Sequence, residues 1–286
     1  MSKGYYHVCS HGLEKNDIFK THEEFVQGMN DVAICVLGFD VIILAFCLMS
    51  NHFHFVLYGT LEDCVLFANE YKRKCALRMR LKTGEVKGLK GVEIQVNEID
   101  SKEYLENVIA YVLRNPLAAG INIMPYYYRW SSAVLYFNKT EEQVGEKLNE
   151  MSERKRQRIL KSCLSVPDNY VVDGHGMILP VCYVDYAEVE RIFGHPARLM
   201  MQIARKIETD VEIRMGVADQ VVMTDQEILT QMKILLRSEF GKESIEQLSM
   251  EQRIKLCRLL KRNFRAGVKQ IARLTRIGVD VVSKVV

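Results

Sequence analysis

Residues 32–49, VAICVLGFDVIILAFCLM, leave a folded chain few options. So continuous an apolar run has to be withdrawn from water, into a bilayer or into a protein core. Asp40 lies near its middle, where a bilayer would penalise a charge. Val, Ile and Phe dominate its second half, and these residues suit a pleated, buried surface. The run therefore reads as the end of one helix followed by a buried strand. SN and then HFHFVLYG come next, so the chain turns and returns as a hairpin partner.

The flanking segments extend this pattern. YYHVCSH alternates as a first strand, and HEEFVQGMNDVAICVLG has helical spacing, with Phe25, Met29, Val32 and Val36 in one stripe. LEDCVLFANEYKRKCALRMRLKTG predicts a helix ending near Gly84, and GVEIQVNEI predicts a strand. SKEYLENVIAYVLRNP predicts a helix with Ser101 as N-cap and Pro116 just past its end. The order β-α-β-β-α-β-α over the first 137 residues gives an α+β fold, an antiparallel sheet with helices on one face. Residues 139–161 are charged and read as helical. Residues 161–180, KSCLSVPDNYVVDGHGMILP, carry the clearest loop signals, and residues 185–264 alternate helical patterns with short turns. The expected organisation is a domain at 1–138, a charged segment and linker at 139–180, and an all-helical region at 181–286.

Net charge is +3, unevenly spread. Residues 251–286 hold ten Lys/Arg and two acids, hence +8, which leaves −5 for residues 1–250. A basic tail on a mildly acidic body points to a polyanionic partner. None of the eight cysteines forms a CxxC pair, which argues against a zinc ribbon or a dithiol redox motif. The start, MSKGYYHVCSHG, lacks the apolar core of a secretory signal. The expectation is a reduced, cytoplasmic protein without a membrane span.

His52 and His54 interrupt the hairpin. In a strand they project side by side, while Phe53 and Phe55 face the other way. Two imidazoles on one face can share a cation, although a histidine pair without a ligand has the same spacing. Asn115 offers an amide oxygen as a third ligand. Tyr111, one helical turn earlier on the same stripe, would stand near that cation, or else serve as an ordinary core tyrosine.

LMSNHFHFVLYG, then YVLRNPLAAGI some 57 residues later, then RWSS, resemble the single-tyrosine HUH transposases, nearest the REP-associated tyrosine transposases. YYHVCSHGLEKNDIF resembles the family's opening strand and loop. The resemblance covers residues 1–137 and implies a ferredoxin-like or RRM-like HUH domain. It implies Tyr111 as nucleophile and His52, His54 and Asn115 as ligands of Mg2+ or Mn2+. The implied reaction is cleavage of single-stranded or hairpin DNA through a 5′-phosphotyrosine link, with rejoining by reversal. No ATP is required, in keeping with the lack of a GxxxxGK[ST] loop. Family members act as monomers or as homodimers, and both states stay open. This chain departs from the pattern at Ser50, where proline is usual, at His11, where arginine precedes Gly12, and at 83–97, which lack the usual aromatics. The rival reading is a non-catalytic, sequence-specific DNA-binding regulator reusing the same domain.

Further DNA contacts are expected from two regions. YKRKCALRMRLK supplies Lys72, Arg73 and Arg78, expected near the active site. IARLTRIGVDVVSKVV resembles a helix-turn-helix, with Ala272, Ile277 and Val282 at its apolar positions and Ser283 and Lys284 toward DNA. Arg276 and Gly278 depart from that motif. Arg265, Lys269 and Arg273 would add phosphate affinity.

Overall fold

The computed structural model describes residues 2–11, 17–83, 89, 92–121, 123–138, 145–161, 166–205, 223, 225–264 and 266–286. Four strands, β1 (Gly4–His11), β2 (Val41–Leu48), β3 (Phe53–Gly59) and β4 (Glu93–Ile99), form one sheet in the order β2-β3-β1-β4. Every neighbouring pair is antiparallel. Helix α1 (His22–Val36) connects β1 to β2, and α2 (Leu61–Thr83) connects β3 to β4. This is the split βαβ arrangement of ferredoxin-like domains.

Alternation along β3 sorts the helices. The Phe55 ring meets those of Phe67 and Tyr71 from α2, each at 5.2 Å, and the Tyr71 hydroxyl donates to the Gly28 carbonyl of α1. Helix α3 (Lys102–Ala118) lies on the opposite face, where Tyr111 meets His54. The expectation of helices on one face is thus corrected: α1 and α2 cover one side and α3 the other. Burial from both sides explains why β2 is an unbroken apolar run with all but Ile42 buried.

β2 is also an edge strand, and the chain caps that edge itself. The Leu48 N–H donates to the Trp130 carbonyl at 2.8 Å, and the Leu48 carbonyl accepts the Tyr128 hydroxyl at 2.9 Å. The Phe46 N–H donates to Ser132 Oγ at 2.9 Å. A bulge between Ile43 and Ala45 leaves Leu44 out of the register, and the Leu44 carbonyl takes the Tyr136 hydroxyl at 2.6 Å. The Asp185 N–H closes on the Ile43 carbonyl at 2.9 Å. The RWSS segment therefore does the work of a fifth strand, partly with hydroxyls in place of backbone groups.

Beyond residue 138 the sequence reading needs revision. Among the described residues of the stretch expected to be helical at 139–161, Glu153–Leu160 forms an α-helix, α4, begun by Ser152 as its N-cap, and Leu148–Glu150 forms a single 3-10 turn. Residues 139–144 lie outside the described residues. Glu146–Lys147 (β5) instead pair with Val171–Val172 (β6). From the expected loop at 161–180, Gly176 and Ile178 dock on α1. Buried Asn30 of α1 accepts the Ile178 N–H at 2.7 Å and donates to the Gly176 carbonyl at 2.8 Å. Six more helices follow among the described residues: α5 (Tyr186–Phe193), α6 (Pro196–Ala204), α7 (Asp225–Phe240), α8 (Met250–Phe264), α9 (Val268–Thr275) and α10 (Val279–Val285). No helix among the described residues is long and apolar enough to cross a membrane.

Replacing Ser132 with Ala removes the acceptor of the buried Phe46 N–H. A loss of about 1–3 kcal/mol of unfolding free energy is expected in urea titrations, the cost of one orphaned buried donor. Wild-type stability in this variant would mean that the edge cap contributes nothing.

Candidate active site

The sequence-selected residues Tyr111, Asn115, His52 and His54 meet between α3 and the sheet. His52 lies just before β3 and His54 within it. Their rings are edge to face with centroids 5.0 Å apart, and His54 meets the Tyr111 ring at 5.5 Å. His52 Nε2 lies 3.2 Å from Asn115 Oδ1. All four side chains are buried, with Tyr111 only 3% exposed.

Asn115 owes its orientation to Pro116. Helix α3 runs through Pro116 to Ala118, one turn farther than the sequence suggests. Proline has no N–H to give the carbonyl four residues back. The Asn115 side-chain amide takes over this role, donating to the Val112 carbonyl at 3.3 Å and to the Tyr111 carbonyl at 3.0 Å. With Nδ2 committed to the helix, Oδ1 is left to face His52. Gly120 then ends the turn with φ +72°, while the N–H groups of Gly120 and Ile121 return to the carbonyls of Leu117 and Pro116.

His52 tests whether a cation fits here. Its Nδ1 lies 2.7 Å from Asn51 Oδ1, and its Nε2 faces Asn115 Oδ1. A neutral imidazole has one N–H. With that N–H donated to Asn51, Nε2 turns a lone pair toward Asn115 Oδ1, an arrangement that a cation held by both atoms would satisfy. Imidazole nitrogen and amide oxygen together are a donor set that a divalent cation can accept.

Two residues were missed by sequence reasoning. His7 Nε2 lies 3.1 Å from His54 Nδ1, with the rings stacked at 5.3 Å, and the His7 ring is edge-on to Tyr111 at 5.8 Å. Cys9 is the cross-strand partner of His54. Donor atoms of His7, Cys9 and His54 all lie within 4.8 Å of one another, so this cluster can hold a metal ion. Burial pushes the Cys9 thiol well up. The signal was present in YYHVCSH: the alternation that marks β1 as a strand also puts His7 and Cys9 on one face.

The expected DNA contacts are dispersed. Helix α2 packs against the sheet face opposite Tyr111, so its cations are not beside the site. Arg78 is half-buried. Its guanidinium is buried against Asp31 and stacks over the Phe19 ring at 5.2 Å. Lys72 donates to the Val92 carbonyl, and Arg73 pairs with Glu70 at 2.6 Å. In the tail, Lys269, Ser283 and Lys284 are exposed, Arg273 pairs with Asp225 at 3.1 Å, and Arg265 lies outside the described residues. Ala272, Ile277 and Val282 are buried, and Arg276 adopts φ +57° at the end of α9, where glycine is commonest.

The C-terminal helices brace the site. Arg198 of α6 grips Glu106 of α3 at 2.7 Å, Arg114 donates to the Ile203 carbonyl at 2.6 Å, and Phe264 of α8 lies against Gly120. At the hairpin turn, the Ser50 hydroxyl donates to Glu227 of α7 at 2.7 Å, a bond that proline at this position could not make.

Neither a family model nor a curated protein matches the chain. One solved structure is similar, described as the REP-associated tyrosine transposase bound to a REP hairpin. It shares 14% identity at a TM-score of 0.36, over 50% of this chain and 90% of that one.

Pro116→Ala restores a backbone N–H to the Val112 carbonyl and releases the Asn115 amide. Thermal stability is expected to hold or rise. Mn2+ affinity measured by calorimetry should fall by about tenfold or more, the usual cost of losing a group that orients a ligand. Unchanged affinity would show that the amide needs no such anchor.

Proposed function

We propose that the chain is a metal-dependent single-strand DNA endonuclease and strand transferase that uses Tyr111 as nucleophile, with DNA that carries a hairpin as its substrate. The observation that carries this reading is the convergence of Tyr111, Asn115, His52 and His54 from two separate elements into one buried cluster. The sequence resemblance over residues 1–137 supports it.

The Tyr111 phenolic oxygen attacks the scissile phosphorus. A bond from phosphorus to that oxygen forms as the bond to the 3′ oxygen breaks. The tyrosine loses its proton, the leaving 3′ oxygen gains one, and the 5′ phosphate stays on the enzyme. A magnesium or manganese ion held by His52, His54 and Asn115 would supply Lewis acidity to the scissile phosphate. Asn51 and His7 hold the two imidazoles in place, and α3 carries the nucleophile and Asn115 as one rigid unit. Because cleavage exchanges one phosphodiester for another, a strand with a free 3′ hydroxyl reverses it. The exposed Lys269 and Lys284 of α9 and α10 supply phosphate affinity, and the pair reads as a helix-turn-helix that holds DNA.

A second reading, a DNA-binding regulator that keeps the fold without the chemistry, is favoured by one observation. Tyr111 is 3% exposed, so a strand reaches it only when its surroundings move aside.

Incubating the protein with labelled single-stranded hairpin oligonucleotides and Mn2+ separates the two. A covalent protein–DNA adduct on a denaturing gel is expected for wild type. Tyr111→Phe and His52→Ala should reduce it by at least about 100-fold, the scale on which catalytic groups act, while gel-shift binding persists. Retention of the adduct in Tyr111→Phe would exclude that residue as nucleophile. DNA binding without an adduct across a panel of hairpins would favour the regulator.

A further inference from the structure

We propose that His7, Cys9 and His54 form a second metal site, selective for a thiophilic cation such as Zn2+, and that its occupation withdraws His54 from the catalytic set. The inhibitory half rests on the nuclease reading above, whereas the existence of the site does not.

The donors come from adjacent strands. His7 and Cys9 sit two residues apart on β1, and Cys9 is paired directly with His54 of β3. His7 Nε2 and His54 Nδ1 already face each other at 3.1 Å, and donor atoms of all three residues fall within 4.8 Å. Zinc binds imidazole nitrogen at about 2.0–2.1 Å and thiolate at about 2.3 Å, so its donors end up roughly 3.3–3.8 Å apart. A side-chain adjustment of about 1 Å closes the set on that geometry. The thiolate gives the site its selectivity, because sulfur favours zinc and its like over magnesium or manganese. Gln95 and Asn97 of β4, the cross-strand neighbours of Cys9 and His7, are polar and only half-buried, and they offer a route inward. Solvent or Gln95 supplies the fourth ligand.

The two sites compete through one ring. A catalytic cation held by His54 Nε2 would leave the ring's proton on Nδ1, which lies 3.1 Å from His7 Nε2. Zinc on Nδ1 would shift that proton to Nε2, and the Cys9 thiol would give up its own proton as it binds the metal. His54 Nε2, the ring nitrogen that does not face His7, would then carry an N–H where the catalytic cation needs a lone pair. His7 thus serves as a positioning residue in one state and a ligand in the other.

Cobalt is the probe, since a thiolate on Co2+ gives an intense near-ultraviolet charge-transfer band. Titrating Co2+ into the metal-free full-length protein should produce that band at one equivalent, and Zn2+ should bleach it. The band should vanish in Cys9→Ser and Cys9→Ala, weaken in His7→Gln, and persist in Cys47→Ser and Asn115→Ala. A wild type without the band overturns the site, whether or not the variants fold. A band that survives both Cys9 variants does the same. For the coupling, stoichiometric Zn2+ should lower Mn2+-supported adduct formation by about tenfold or more in wild type, the scale of loss when a ligand is disabled. It should spare Cys9→Ser. Full activity of the zinc-loaded wild type overturns the inhibition. A protein that forms no adduct with any metal overturns the nuclease reading and the inhibition together, while the cobalt spectrum still decides the site.

Discussion

Everything in the N-terminal half depends on the two-residue period of β3. Phe53 and Phe55 go one way and fix the position of α2 through Phe67 and Tyr71. His54 goes the other way, with His52 beside it, and meets α3. Core and site are therefore the two sides of one strand, and a register slip of one residue would exchange them. The same alternation runs into β1, where Val8 packs with the core and His7 and Cys9 join the histidines. It also explains why α2, with its many cations, lies on the side of the sheet away from Tyr111.

The tyrosine helix is fixed with similar economy. Pro116 deprives Val112 of a hydrogen bond, and Asn115 replaces that bond from its side chain. A helix defect is thereby converted into the orientation of an amide oxygen toward His52. Beyond residue 138, Arg198, Ile203 and Phe264 hold α3 from the C-terminal side, and Glu227 holds the turn that precedes His52. The C-terminal helices are in this sense part of the site's scaffold, whatever else their basic surface does.

How much of this was legible follows from which forces are local. The order of strands and helices through α3 could be read because burial on both sheet faces writes itself into residues 32–55. The pairing of His52 with Asn115 could be read because both lie in compact motifs. His7 and Cys9 were visible only in part, since alternation reveals a shared face but not which strand will lie beside it. The function of RWSS as an edge cap was hidden, because it depends on a bulge at Leu44 and on hydroxyl groups meeting carbonyls some 90 residues away. Arg78 looked like a surface cation because Asp31, its partner, lies 47 residues earlier in the chain. The docking of residues 176–178 on Asn30 has the same cause: glycine-rich sequence signals a turn, not where the turn rests.

The closed edge of β2 has a consequence for assembly. A strand whose outward hydrogen bonds are already taken by Tyr128, Trp130, Ser132, Tyr136 and Asp185 gives another polypeptide no template to extend. Among the described residues the sheet can grow only past β4. There Glu93 and Glu98 are exposed, a charge pattern that discourages a second β-strand from joining. The sheet is thus finished by its own chain on one side and guarded on the other. Among the described residues, neither edge of this sheet invites a strand from a second copy.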